Sequence, residues 1–158
     1  MIELLLVRHA DAGDPLAWSG LDADRPLSRK GRKQVERLAA ILGALRAAPD
    51  VLVSSPKARA AQTAEVLGAV LGLEVRLHDG LGGPLDLDVL AAILVDNGLP
   101  HRPILVGHDP DFSDLASELV GSAVTLRKGA LARIDLELPP TAGEGVLRWL
   151  VPPDLFAR

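Results

Sequence analysis

Apolar positions along this chain alternate between two rhythms. Unbroken or nearly unbroken runs at Ile2-Glu3-Leu4-Leu5-Leu6-Val7, Val51-Leu52-Val53 and Pro103-Ile104-Leu105-Val106 have the length and composition of buried strands. Between them helical spacing takes over. Val35, Leu38, Ala39, Leu42 and Leu45 form one stripe, which predicts a helix from an N-cap at Ser28 to about Arg46. Ala61, Ala64, Leu67 and Leu71 form a second, with Ser55-Pro56 as capping hydroxyl and first-turn proline, Arg59 in the first turn, and Gly72 as the stop. Leu87, Leu90, Ala91 and Leu94 predict a third helix closed by Gly98 and Pro100, and Phe112, Leu115, Ala116 and Leu119 a fourth, from Asp111 to Val120, ending at Gly121. A short strand is expected at Glu74 to Leu77, and turn-rich loops at Asp11 to Pro26 and His78 to Pro84. The rhythm then becomes strict alternation. Ala132, Ile134, Leu136 and Leu138 against Arg133, Asp135 and Glu137 predict a half-exposed strand over Ala130 to Leu138, paired across a Pro/Gly-rich loop with Gly145 to Val151.

Strands alternating with helices imply βαβ units, hence an α/β fold. The expected architecture is a three-layer αβα sandwich whose sheet is mainly parallel with an antiparallel element, and whose ligands bind at the carboxyl ends of the strands. A length of 158 residues suits a single domain over 1–158 and is enough for a core without cross-links. With 48% hydrophobic and 24% charged residues the composition is that of a globular chain, not a disordered one. A net charge of −4 argues against a broad nucleic-acid or acidic-membrane surface. The absence of cysteine excludes thiol catalysis and suits a cytoplasmic setting. The N-terminal apolar run is too short for a membrane span or a signal sequence.

Candidate chemistry gathers where the apolar runs stop. The first strand runs into Arg8-His9, the second into Ser54-Ser55-Pro56-Lys57-Ala58-Arg59, and the third into Gly107-His108. Taken singly, each has an ordinary structural explanation: a salt-bridged strand end, a solvated helix arginine, a hydrogen-bonded loop histidine. Three such strand ends in one α/β sheet point to an anion site. Arginine suits phosphate because its planar fork stays charged and binds two oxygens, and a helix N-terminus at Arg59 would add N–H donors. Neighbouring arginines would keep His9 neutral, whereas a bound phosphate would stabilise His108 as imidazolium. His78 and His101 have no partner at metal-ligand spacing and are read as surface residues; no metal is implied. Gly80-Leu81-Gly82-Gly83 is too weak for a dinucleotide loop, and no cofactor is implied. Arg127 and Lys128 would either extend a basic rim or be a solvated pair. Ser28 is foremost an N-cap whose hydroxyl could reach toward the site.

Leu6-Val7-Arg8-His9-Ala10, Ser55-Pro56-Lys57-Ala58-Arg59-Ala60-Ala61-Gln62-Thr63 and Val106-Gly107-His108-Asp109 resemble, in order and spacing, the motifs of the histidine phosphatase (phosphoglycerate mutase-like) superfamily. The Arg25-Pro26-Leu27-Ser28-Arg29-Lys30-Gly31 segment, the short length and the ending Trp149-Leu150-Val151-Pro152-Pro153 resemble its SixA-type phosphohistidine phosphatases. The resemblance implies a phosphoglycerate mutase-like fold, His9 as a nucleophile that takes the phosphoryl group, and Arg8, Arg59 and His108 as holders of its oxygens. Relatives that cleave phosphomonoesters usually carry a carboxylic acid in the loop after the strand that follows the second motif. Here Asp79 is the nearest candidate, with Asp86, Asp11, Asp109 and Asp111 as further carboxyls close to the motifs. An acid-poor loop suits a phosphohistidine substrate, because imidazole leaves more readily than an alkoxide. The reading is thus a metal-independent phosphatase in signal transduction, acting on a phosphorylated histidine protein such as the phosphotransfer domain of a kinase relay. A small-molecule phosphomonoesterase or pyrophosphatase is the alternative, and a phosphohistidine-binding module that does not hydrolyse is a third; a mutase is disfavoured by the short loops. A protein substrate would dock on an open surface, with Trp18, Phe112 or Phe156 as candidate contacts.

Overall fold

The structure, a computed structural model, describes residues 1–155. Six strands build one mixed sheet in the order β3-β2-β4-β1-β5-β6, where β1 is Ile2–Arg8, β2 Val51–Ser54, β3 Val75–Leu77, β4 Pro103–Gly107, β5 Leu131–Leu136 and β6 Val146–Val151. β1, β4, β2 and β3 run parallel, and β5 and β6 add an antiparallel edge. The helices are α1 (Arg29–Leu45), α2 (Ala58–Leu71), α3 (Leu87–Asp96) and α4 (Asp111–Val120). Alternate residues of each strand face opposite sides of the sheet, and the core divides accordingly. Leu4 and Leu6 of β1 join α3 and α4 residues such as Leu90, Ile93, Phe112 and Leu115, whereas Leu5 and Val7 join Val35, Leu38, Leu42, Ala64 and Leu67 of α1 and α2. This is the three-layer α/β arrangement expected from the alternating pattern. Among the described residues no helix is long and apolar enough to cross a membrane.

Local expectations needed correction in four places. Helix α2 begins at Ala58, not at Pro56, and its N-cap Lys57 makes no side-chain capping bond. Ser55 is diverted, accepting the Lys57 N–H at 3.2 Å and pairing with His108. The buried stripe of α1 ends at Leu42 and not at Leu45, which is exposed at the last residue of the helix before Arg46 turns left-handed at φ 50° to close it. Phe112 is 1% exposed, so it is a core residue and not a docking contact, while Phe156 lies outside the described residues.

The fourth correction is β5, which is almost wholly buried although its sequence alternates. It lies between β1 and β6, and its polar positions neutralise one another. Asp135 takes Arg133 Nε at 2.9 Å and Arg148 Nε at 2.7 Å, and Glu3, its neighbour across the β1–β5 pair, takes Arg133 at 3.2 Å and Arg102 at 2.8 Å. Burial works to raise the Asp135 pKa, but the hydrogen bonds from Arg133 and Arg148 outweigh it and hold the carboxyl below its ordinary value. A charged row at the end of the sheet away from the motifs pairs around one buried carboxylate, Asp135, with arginines that reach toward solvent, as sequence alternation alone does not reveal.

Glycine matters where α1 meets the loop after β1. A Cβ at Gly31 would collide with the Asp11 carbonyl oxygen, a backbone atom that also receives the Ser28 N–H at 2.9 Å. In an isolated helix Gly→Ala would stabilise by about 1 kcal/mol. Here the sign reverses. Gly31→Ala is expected to destabilise by roughly 1–3 kcal/mol through overpacking, read as a lower urea midpoint; an unchanged or raised midpoint would show that the loop yields without cost.

Candidate active site

Backbone pairing brings the three motifs together. β1 and β4 are in parallel register with Arg8 opposite Gly107, and the His9 N–H donates to the Gly107 carbonyl at 2.9 Å. On the other side of β4 the Ser55 N–H donates to the Val106 carbonyl at 3.0 Å. His9 and His108 therefore emerge side by side, with ring centroids 5.1 Å apart, and Arg59 projects from the first turn of α2 beside them. His9, Arg59 and His108 are buried, and Arg8 is half-buried. Each of the four residues singled out by sequence thus belongs to one cluster at the carboxyl ends of the strands.

A hydrogen bond fixes the tautomer of His9. His9 Nδ1 lies 2.7 Å from the Ala10 carbonyl, which can only accept, so Nδ1 carries the proton and Nε2 presents a lone pair. Burial lowers the His9 pKa to about 4, more strongly than Arg59, Arg8 and Lys128 do. The arginines thus favour the neutral ring as expected, but desolvation is the larger cause. His108 Nε2 pairs with Ser55 Oγ at 2.7 Å, and burial, followed by His9, Arg59 and Lys57, lowers its pKa to about 3. Both histidines are neutral in the free site.

The arginines are held from outside. Arg59 donates through Nη1 to the Asp22 carbonyl at 2.9 Å and through Nη2 to its carboxylate at 3.1 Å. Arg8 donates to the Leu126 carbonyl at 2.9 Å and lies 3.5 Å from the Asp109 carboxylate, itself anchored by the Ser113 N–H and hydroxyl. What remains is a set of buried nitrogens without a partner among the described residues: Arg8 Nε, Arg59 Nε and His108 Nδ1. Leaving buried polar groups unpaired costs about 1–3 kcal/mol each, so three on neighbouring residues of one cluster suit an oxygen-rich ligand.

Several residues that matter here had no partner assigned to them by sequence, though Arg25, Ser28, Gln62 and Thr63 lie in the motif segments. Asp22, in a short 3-10 turn of the long polar loop, clamps both Arg59 and Arg25; Arg25 in turn donates to the Ala12 carbonyl at 2.9 Å. Thr63, fully buried, accepts the Ala10 N–H at 3.3 Å and donates to the Arg59 carbonyl at 2.8 Å, linking the first motif to the second. Gln62 and Gln34 accept the Leu27 and Asp11 N–H groups, both at 2.9 Å, and so tie the polar loop to the helices. Their signal was present as polar residues on otherwise apolar helix faces, but only the fold shows their partners. Ser28 caps α1 through the Gly31 N–H at 3.0 Å and also donates to Asp11 Oδ2 at 2.6 Å.

The candidate acids separate. Asp86 is the N-cap of α3, accepting the Val89 N–H at 2.8 Å. Asp79 opens a 3-10 turn that packs on the Ser55-Pro56 bend through Gly82, but its exposed carboxylate makes no hydrogen bond or ion pair among the described residues. Asp11, Asp22 and Asp109 are bonded to hydroxyls or cations. Asp111 differs, since burial raises its pKa against the opposing backbone bond from Leu85. His78 accepts the Gly80 N–H at 3.0 Å and pairs with Asp96 at 2.8 Å, and His101 is exposed. Among the described residues no group of three or more His, Cys, Asp or Glu side chains is placed to hold a metal ion.

Comparison with known proteins shows the family and the fold. The sequence profile of the histidine phosphatase superfamily (branch 1) matches residues 4–82. An uncharacterized protein of Picosynechococcus is 31% identical, with 82% of each chain covered. Among solved structures, the protein histidine phosphatase SixA complexed with tungstate superposes with a TM-score of 0.82 at 24% identity, covering 96% of this chain and 97% of that one. A proposed SixA phosphohistidine phosphatase from Nakamurella multipartitia gives 0.78 at 25% identity over 95% of both chains. A mycobacterial glucosyl-3-phosphoglycerate phosphatase gives 0.70 at 21% identity over 93% of this chain and 97% of that one.

The lowered histidine pKa values tie the site to stability. Unfolded histidine titrates near 6.5, so between that value and the folded values of about 4 and 3 the unfolded chain binds more protons. Stability is then complete above about pH 6.5 and is lost as pH falls toward 4 and 3. Each tenfold difference in proton affinity between the folded and unfolded chain is worth about 1.4 kcal/mol. Urea unfolding at about pH 7 and 5 should show this loss in wild type and a smaller one in His9→Gln; equal losses would mean that His9 is not held neutral by the fold.

Proposed function

The chain belongs to the histidine phosphatase superfamily, and we propose that within it this protein removes phosphoryl groups from phosphorylated histidine on other proteins. The observation that carries the proposal is that His9, with a free Nε2, shares one buried cluster with His108, Arg8 and Arg59, each of which keeps a buried nitrogen without a partner among the described residues. Phosphoryl transfer asks the protein for in-line positioning and for positive or donor groups around the equatorial oxygens. In this reading Arg8, Arg59 and His108 hold those oxygens, and the bound anion draws a proton onto His108, whose second nitrogen stays bonded to Ser55. The neutral Nε2 of His9 attacks phosphorus while the bond from phosphorus to the substrate nitrogen breaks. The resulting phosphohistidine at His9 is then attacked by water, which releases inorganic phosphate and restores the neutral ring.

The state of the carboxyls supports the choice of substrate. Asp11 and Asp22 are held below the ordinary carboxylate range, chiefly by hydrogen bonds from Ser28 and from Arg25 respectively, so neither is poised to give up a proton. A phosphohistidine protonated on its other ring nitrogen departs as neutral imidazole and needs no acid, whereas an alkoxide does. The structural likeness to a protein histidine phosphatase is consistent with this reading. A second reading rests on Asp111, whose raised pKa suits a general acid for a small-molecule phosphomonoester.

Initial rates on a phosphohistidine peptide and on a panel of phosphomonoesters separate the two. Phosphohistidine should be preferred, His9→Ala should lower its turnover by at least about 10³-fold, and Asp79→Asn and Asp111→Asn should leave it within a few-fold. Faster phosphomonoester turnover that falls about 10²-fold or more in Asp111→Asn would move the assignment to the second reading. Binding without turnover, and no trapped phosphate on His9, would reduce the protein to a binding module.

A further inference from the structure

Positive charge gathers on one side of the site. A groove leaves Arg8 between the start of α1 and the segment before β5, lined in its inner part by Lys30, Arg127 and Lys128 against a single carboxylate, Asp11. It continues outward along α1 past Arg29, Lys33 and Arg37, with Asp154 the acid there. Asp11 is already engaged by Ser28 and Lys128, and Asp154 by Arg127. Among the described residues Arg29, Lys30, Lys33 and Arg37 make no ion pair, all four are exposed, and Glu36, the acid on this stretch of helix, does not line the groove. Seven cations against two carboxylates line a groove in a chain whose net charge is −4.

That arrangement opposes the stability of α1. The first turn has no acidic residue, so its cations meet the positive end of the helix dipole, and Arg29, Lys33 and Arg37 repel at successive i,i+4 spacings. An anionic partner offsets both. From residue 29 to residue 37 the helix advances about 12 Å, farther than one phosphoryl group reaches. Beyond Arg37 the same side of α1 turns apolar, with Ala40, Ile41, Ala44 and Leu45 beside Pro153. Charge that grades into an apolar patch fits a folded protein surface better than a polyanion.

We propose that this groove docks an acidic face of the protein that carries the phosphohistidine, with the outer cations Lys33 and Arg37 setting substrate preference without touching the reacting atoms. The proposal deepens the phosphohistidine reading and rests on it. Two phosphohistidine peptides of equal length test it, one with Asp and Glu around the histidine and one with Asn and Gln in their place, alongside free phosphohistidine. Wild type should favour the acidic peptide in kcat/KM by about tenfold or more at low salt, mainly through KM, and lose that preference at high salt. Lys33→Glu with Arg37→Glu should abolish the preference and leave turnover of free phosphohistidine unchanged.

Equal kcat/KM for the two peptides would overturn the docking proposal, as would a double variant that loses free phosphohistidine turnover. Fluorescence anisotropy with the unphosphorylated acidic peptide keeps the two levels apart, because it needs no reaction. Binding to wild type that the double variant loses would support the surface even where only phosphomonoesters were hydrolysed, in which case the phosphohistidine reading alone would fail. Tighter binding of an oligothymidylate than of the acidic peptide would overturn the proposal in favour of nucleic acid.

Discussion

The parallel pairing of β1 with β4 is the constraint on which the site depends. Its register places Arg8 opposite Gly107, so the chain leaves the two strands at the same level and His9 and His108 meet at 5.1 Å between ring centroids. Slipping one strand by a residue would reverse which side chains face each core cluster, sending Leu4 and Leu6 to the layer that Leu5 and Val7 fill. The apolar core on both faces of the sheet therefore locks the register, and the register locks the histidines. Gly107 completes the junction. A Cβ there would stand 2.6 Å from the Phe112 ring, so the strand end can approach α4 only as glycine.

Around this junction the protein arranges charge in two shells of opposite sign. Cationic and imidazole groups form the cluster itself, and Asp22 and Asp109 pair with its two arginines while the Nε of each arginine stays without a partner among the described residues. Burial then acts on the two chemistries differently. It strips the histidines of their protons, since neither has a carboxylate partner among the described residues, whereas at Arg59 the Asp22 carboxylate opposes the same effect. A neutral imidazole edge beside fixed positive charge is what a phosphoryl acceptor requires, and the site is built that way before any ligand arrives.

The polar loop between β1 and α1 is held to the site by side chains from several elements. Gln34 of α1 and Gln62 of α2 accept its backbone N–H groups, Thr63 joins Ala10 to Arg59, and Arg25 folds back onto the Ala12 carbonyl. Asp22 is brought to Arg59 only because this loop crosses the site. On the far end of the sheet Glu3, Arg102, Arg133, Asp135 and Arg148 form the other ionic network, away from the chemistry.

Runs of apolar residues and their spacing determined the elements, since burial of Leu4, Leu6, Val53 or Leu105 depends on periodicity that is written locally. The same holds for the inner ring of the site. Arg8 ends a strand and His9, Arg59 and His108 follow one within a few residues, and strand ends on one side of a parallel sheet must be neighbours. Tertiary structure alone decided the rest: that Ser55 serves His108 and not a helix cap, that Asp22 reaches Arg59 across 37 positions, and that β5 is buried despite its alternation. These depend on which loop crosses which strand and on which charges meet, and side-chain type at one position carries no record of a partner so far along the chain.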